Sequence, residues 1–158
     1  VRGGHKFKID NLEIIDCWGD GVFTAPSNTK QCEDYIITRV LSSNNRRQGM
    51  WITSAIHATI SNNICKDTNG ASPGAGIDVE CDDNLNQIYD TCLTGNVCYD
   101  NEGYGIATAA VAYTDNTHKP DGVTITGNTC YSNDKENIFI NYNNKYCEYS
   151  YPNCSPFH

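Results

Sequence analysis

Apolar and polar positions along this chain alternate with a period of two over short runs, and none follows the 3.6-residue period of an amphipathic helix. The clearest run is Gly76-Ile77-Asp78-Val79-Glu80. Ile77 and Val79 fall on one side of an extended backbone and Asp78 and Glu80 on the other, which predicts a strand with one buried face. The same turn-then-strand pattern recurs as Gly21-Val22-Phe23-Thr24, Gly49-Met50-Trp51-Ile52, Gly105-Ile106-Ala107-Thr108 and Asn137-Ile138-Phe139-Ile140. Ahead of each stands a second motif, an apolar residue, then Asn or an apolar residue three positions on, then Cys or an apolar residue two further. It occurs, with one Ser in the last place, as Ile9/Leu12/Ile14, Ile37/Val40/Ser42, Ile60/Asn63/Cys65, Leu93/Asn96/Cys98 and Ile125/Asn128/Cys130. Its first members lie 28, 23, 33 and 32 positions apart.

Units of this length, built from short strands with Asn-rich corners and Gly-led turns, predict an all-β fold, a right-handed parallel β-helix of about five coils. The coils span residues 1–144, and residues 145–158 read as a Cys-containing tail. Stacked coils bring equivalent residues within about 4.8 Å. Asn63, Asn96 and Asn128 are then expected to form a buried amide ladder, and Ile77, Val79, Ile106, Ile138 and Ile140 to fill the interior. Cys65, Cys98 and Cys130 occupy the position of Ile14 and read as small apolar core residues, with a bridge between two of them within reach. Pro26 to Asp34, Cys81 to Thr91 and Ala112 to Asp121 read as loops.

Composition narrows the partners. The net charge is −8, with 11 Lys and Arg against 19 Asp and Glu, which argues against nucleic acid. An acidic polymer would need local Arg or Lys or a bridging cation. There is no apolar stretch of membrane-spanning length, so a soluble chain is expected. The opening Val1-Arg2-Gly3-Gly4 has neither a signal-peptide core nor an initiator Met, so the chain reads as mature or as part of a longer β-helix. Nine cysteines without a CxxC pair point away from zinc, leaving disulfides of an extracellular protein or buried thiols. Cys17 with Cys32, Cys81 with Cys92 and Cys147 with Cys154 are candidate bridges that would pin loops, and Asn153-Cys154-Ser155 matches a glycosylation acceptor.

Aligning the second strands at their leading residues places Phe23, Trp51, Asp78, Ala107 and Phe139 in one outward row and Ala25, Thr53, Glu80, Ala109 and Asn141 in the next. Asp78 and Glu80 are two residues apart, roughly 6.5–7 Å along a strand. That fits the separation of about 6.5–9.5 Å for a water-mediated inversion at a glycosidic bond, and mutual repulsion would raise one pKa, as a general acid requires. Asp20, in Trp18-Gly19-Asp20-Gly21, is a third carboxylate, alternatively an ordinary turn Asp. Trp51, extended by Phe23, would offer a sugar an aromatic surface, or else lie covered. Arg46 and Arg47 would hold a sugar carboxylate, or pair with Asp78 as a structural bridge. His57 is a candidate base or a structural histidine. Glu80, Asp82 and Asp83 offer oxygens for a calcium ion, although their spacing matches no recognised loop. No other cofactor or metal is expected.

Asn45-Arg46-Arg47-Gln48-Gly49, followed by Thr68-Asn69-Gly70-Ala71-Ser72-Pro73-Gly74-Ala75-Gly76-Ile77-Asp78-Val79-Glu80, resembles the right-handed parallel β-helix proteins of the pectate-lyase-like superfamily. Within it the chain looks most like bacterial polysaccharide-active β-helices and phage tailspike depolymerases. The resemblance implies an extracellular, cell-surface or virion protein that degrades a polysaccharide by hydrolysis or β-elimination. The alternative it carries is a non-catalytic structural, glycan-binding or receptor-binding stack, trimeric as in phage spikes.

Overall fold

A computed structural model describes residues 1–109 and 120–141 in full and residues 110 and 145–150 as backbone. Among these residues there is no helix; the chain winds as a parallel β-solenoid of about four turns. One face is a five-stranded sheet made of β2 (Val22–Thr24), β4 (Met50–Ile52), β8 (Ile77–Cys81), β11 (Ile106–Ala110) and β14 (Ile138–Ile140), each paired in parallel with the next. The remaining strands form a ten-stranded sheet: β1 (Lys8–Ile15), β3 (Ile36–Ser43), β5 (Ser54–Ile56), β6 (Thr59–Ser61), β7 (Ile64–Lys66), β9 (Gln87–Thr94), β10 (Val97–Tyr99), β12 (Asp121–Thr126), β13 (Thr129–Tyr131) and β15 (Lys145–Ser150). With five rungs and about four full turns between them, the coil count is slightly below the expected five.

The register follows the repeat residue by residue. Ile9 faces Ile37, Ile37 faces Ile60, Ile60 faces Leu93 and Leu93 faces Ile125. Ile14, Ser42, Cys65, Cys98 and Cys130 form a second row. Ile77, Val79 and Ile106 are fully buried, and Ile138 and Ile140 pack against the same core from the last described rung. Stacking like on like lets every coil bury its apolar residues against the next one, which no single coil of this size could do alone.

Two amide ladders staple the coils. In the expected one, Asn96 Oδ1 accepts from the Asn63 backbone N–H at 3.1 Å and its side-chain Nδ2 at 2.9 Å. Asn128 Oδ1 receives the same two bonds from Asn96, each at 2.9 Å. All three amides are buried. The second ladder runs through Asn101 and Asn133, with the Thr68 hydroxyl and backbone N–H donating to Asn101 Oδ1, and Asn101 donates to the Cys65 carbonyl while its backbone and side-chain N–H groups both reach Asn133 Oδ1. Buried amides persist only when paired in this way.

The corners have their own regularity. Residues with φ near +50 to +66° recur five positions apart within each coil: Lys6, Asn11 and Asp16; Asp34, Arg39 and Asn44; His57, Asn62 and Asp67; Asp90, Gly95 and Asp100; Gly122, Gly127 and Ser132. Left-handed residues bend an extended chain, and Asn, Asp and Gly accept that conformation at least cost. The glycines that lead the second strands serve a different need. A Cβ on Gly76 would lie 2.7 Å from the Gly105 carbonyl oxygen, and one on Gly49 would lie 2.5 Å from that of Gly76, so the rungs approach too closely there for any side chain.

Several expectations are corrected. None of the seven described cysteine side chains is bridged. Cys81 points into the core at the end of β8 whereas Cys92 points outward from β9, so that pair faces opposite ways. Cys32 turns its thiol to the Ala25 carbonyl, 3.3 Å away, and Cys17 lies at the corner after Asp16. Cys65, Cys98 and Cys130 stand in register on neighbouring parallel strands with their thiols unbridged. The segment from Cys81 to Thr91 is mostly not loop, because β9 begins at Gln87. The ladder also continues into the segment read as a tail, where β15 pairs with β12. The Cys147 side chain, Cys154, the Asn153-Cys154-Ser155 motif and all but the end of the Ala112 to Asp121 segment lie outside the described residues.

Candidate functional site

The five-stranded sheet presents the expected outward row in register: Phe23 opposite Trp51, Trp51 opposite Asp78, Asp78 opposite Ala107 and Ala107 opposite Phe139. Glu80 faces Ala109 in the next row. The alternation of β8 therefore puts both carboxyl groups on one face, between an aromatic rung and a rung of alanines.

Outward does not mean exposed. Asp78 is only 3% exposed. Its Oδ2 accepts a 2.5 Å hydrogen bond from Nε2 of Gln48, a fully buried side chain on the turn that enters the second coil. The carboxyl groups of Asp78 and Glu80 act on each other electrostatically, each influencing the protonation of the other. Burial foremost, then the Glu80 charge and hydrogen bond, push the Asp78 pKa well above the usual carboxylate range; Arg47 offsets only part of this. Glu80 is half-buried, and burial followed by the charge of Asp82 raises its pKa too, with its bonds to Asp78 and Trp51 opposing. Glu80 is the accessible member of the pair and Asp78 the enclosed one.

Arg47, Asp20 and Trp51 complete the cluster. Arg47 Nε lies 3.4 Å from Asp20 Oδ1, and its guanidinium carbon sits 3.8 Å from the centre of the Trp51 ring. Burial raises the Asp20 pKa while Arg47 lowers it. Trp51 Nε1 donates to Glu80 Oε2 at 3.4 Å. Phe23 stacks on Trp51 with ring centres 4.4 Å apart and planes 12° off parallel, so Phe23 takes one face of the indole and Arg47 the other. A sugar can stack on Trp51 only by displacing the Arg47 guanidinium; otherwise it meets the ring edge.

Of the residues singled out in the sequence, Asp20, Phe23, Arg47, Trp51, Asp78 and Glu80 thus converge. Arg46 does not: its guanidinium lies over Trp18, 4.7 Å from the ring centre. His57 sits elsewhere, with Nδ1 3.3 Å from Asp34 and Nε2 3.7 Å from Asp90. Asp83 spends its carboxylate on the backbone N–H groups of Leu85 and Asn86, and among the described residues no three His, Cys, Asp or Glu side chains converge as metal ligands. Gln48 was missed. Its only sequence signal was a place in the Arg46-Arg47-Gln48-Gly49 turn, one residue before a glycine aligned with Gly76. Tyr104 was missed as well; it stacks on Phe139 at 4.7 Å with Lys135 over its ring, and burial followed by the charges of Glu136 and Asp78 raises its pKa.

No protein family model matches the chain. It is similar to an uncharacterized protein of Bacillus subtilis (strain 168), YclG, with 32% identity over 89 residues, covering 51% of this chain. The match spans 15% of that protein's length. No helix among the described residues is long and apolar enough to cross a membrane.

Proposed function

We propose that the protein cleaves glycosidic bonds of an extracellular polysaccharide, with Glu80 as the proton-delivering group. The observation that carries this reading is the pair of carboxyls on one face of one strand, one enclosed and the other accessible and beside an aromatic ring and a cation. Cleavage by hydrolysis needs a carboxyl that stays protonated near neutral pH and a second that stays ionised. Burial raises the pKa of both Asp78 and Glu80 and so favours a proton on the pair, and Glu80, the accessible member, presents it to the leaving oxygen. Asp20, held by Arg47, is the separate carboxylate for activating water. In elimination chemistry on a uronate, Arg47 would instead neutralise the sugar carboxylate while Glu80 removed a proton.

The test is to incubate purified protein with capsular, pectic and alginate-type polymers and follow products. New reducing ends without ultraviolet absorbance mark hydrolysis, and an unsaturated-uronate absorbance marks elimination. Either product should fall by about a hundredfold or more in Glu80→Gln, the usual scale for losing a general acid or base. Undiminished activity in Glu80→Gln would overturn the assignment.

The second reading is a non-catalytic glycan- or receptor-binding stack, assembled as a trimer. It is favoured by the enclosure of Asp78, whose bond to Gln48 also ties the second coil to the third. Polymer binding without any product from the whole panel would select it.

A further inference from the structure

A second feature lies across the corner from the carboxyl pair. Trp18 is 83% exposed, the most exposed of the large apolar side chains among the described residues. It stands beside a groove of about 420 Å³ whose walls include Asp16, Asn44, Arg46 and Asn69. Trp51, in contrast, has both faces covered. On Trp18 only the Arg46 guanidinium is stacked, 4.7 Å from the ring centre, and the other face is open. Arg46 and Arg47 are adjacent at a bend of the chain and their side chains diverge, one to Trp18 and the other to Trp51, so that the corner separates this groove from the carboxyl pair.

We propose that this groove is a saccharide site in its own right and that it takes a sugar carrying a carboxylate. Three properties of the walls specify that chemistry. The indole offers an open aromatic face, which the apolar face of a pyranose ring covers. Arg46 is a cation with no ion pair among the described residues, in a chain of net charge −8, and its planar fork matches a carboxylate. The third wall is a column of exposed polar side chains bonded to one another. Asn44 Nδ2 donates to Asp16 Oδ1 at 2.6 Å, and Asn69 Nδ2 donates both to Asn44 Oδ1 and to the Asp67 carbonyl at 2.9 Å. What remains on the column are the second Asp16 oxygen and Asn69 Oδ1 as acceptors and the second Asn44 N–H as a donor, which need partners of both kinds from the ligand. Sugar hydroxyls supply them. A nucleic-acid chain would also stack on Trp18, but its run of phosphates would face the net negative field of the protein with Arg46 as the one cation among the described residues lining the groove, whereas that cation is enough to match a single sugar carboxylate. The groove volume lies within the range of about 300–1,000 Å³ of small-ligand sites.

This site does not depend on catalysis at Glu80, and the experiment separates the two. Calorimetric and tryptophan-fluorescence titrations would use trisaccharides of glucuronate, galacturonate and mannuronate, each against its neutral counterpart, glucose, galactose or mannose. The proteins would be wild type, Trp18→Ala, Arg46→Gln and Trp51→Ala, all in a Glu80→Gln background that prevents turnover. Trp18→Ala and Arg46→Gln alter exposed side chains, and unchanged melting temperatures would verify their folds. The expected result is that at least one acidic trisaccharide binds and its neutral counterpart binds at least about tenfold more weakly. Arg46→Gln should erase that difference, as removal of a charge-assisted bond does. Trp18→Ala should abolish binding, and Trp51→Ala should leave it intact. Binding lost in Trp51→Ala but kept in Trp18→Ala would place the sugar on the carboxyl face, overturning this proposal while sparing the proposed function. Equal affinity for acidic and neutral sugars, or no binding of any acidic trisaccharide, would also overturn it.

Discussion

Replacing Asp78 by Asn tests the reading of the carboxyl pair through stability before any substrate is known. Asp78 is 3% exposed, accepts from Gln48 at 2.5 Å and lies beside the Glu80 carboxyl on the same face of the strand. Its folded-state pKa is raised, chiefly by burial. An unfolded Asp releases its proton near pH 3.9, so above that value the unfolded chain gains charge while the folded chain holds the proton. Stability therefore falls as pH rises from about 4 through the raised folded pKa, then levels off, at about 1.4 kcal/mol for each pH unit in between. Asn has the shape of protonated Asp: Oδ1 accepts from Gln48 and Nδ2 donates to Glu80, with nothing to titrate. Asp78→Asn should match the wild type near pH 4 and be the more stable protein at neutral pH, with a gap that widens with pH. Asp78→Ala leaves the fully buried Gln48 amide without its acceptor and should lose about 1–3 kcal/mol at every pH. Urea unfolding from pH 4 to 8 on the three proteins measures all of this. A gap that does not grow with pH, or equal losses in Asn and Ala, would mean that Asp78 is ionised in the folded protein. In that case the pair holds no proton at Asp78, and the proposed role of Glu80 loses its support.

The stacking geometry makes three further predictions. Gly76→Ala brings a Cβ to 2.7 Å from the Gly105 carbonyl and 3.0 Å from Asn101 Nδ2, and should cost about 2–3 kcal/mol in chemical denaturation; Gly19→Ala, with nothing within 4 Å, should stay within about 0.5 kcal/mol, and a similar loss at both would refute the close-approach argument. Asn96→Ala strips the acceptor from Asn63 and the donor from the Ile60 carbonyl and Asn128, and should cost about 3 kcal/mol or more, so near-wild-type unfolding would show the ladder to be dispensable. Alkylation at pH 8 followed by mass spectrometry should label the half-buried Cys17 and Cys92 before the buried Cys32, Cys65, Cys98 and Cys130, and Cys81, whose pKa burial pushes up to about 12, should also lag; labelling of Cys98 as fast as Cys92 would contradict the closed core.

The local chemistry of this chain is legible because a solenoid repeats its solution. Each coil meets the next in register, so Ile9, Ile37, Ile60, Leu93 and Ile125 had to be alike to pack, and Asn63, Asn96 and Asn128 had to be alike to bond. Alternation along β8 likewise put Asp78 and Glu80 on one face of the sheet. The left-handed corners were half visible as Asn, Asp and Gly every five residues, and Lys6, Arg39, His57 and Ser132 hid the rest by adopting the same backbone. Periodicity is a property of one strand, however, and burial is a property of its surroundings. Whether an outward side chain meets water depends on the rungs and turns beside it, and those place Gln48 against Asp78, Phe23 and Arg47 on the two faces of Trp51, and Arg46 over Trp18. Two adjacent arginines read alike in the sequence; the divergence of neighbouring side chains at a corner sends one to the carboxyl cluster and the other to the open groove. The cysteines show the same limit: their number and spacing suggested bridges, and only the direction each thiol takes from its strand decided that Cys81 and Cys92 never face each other.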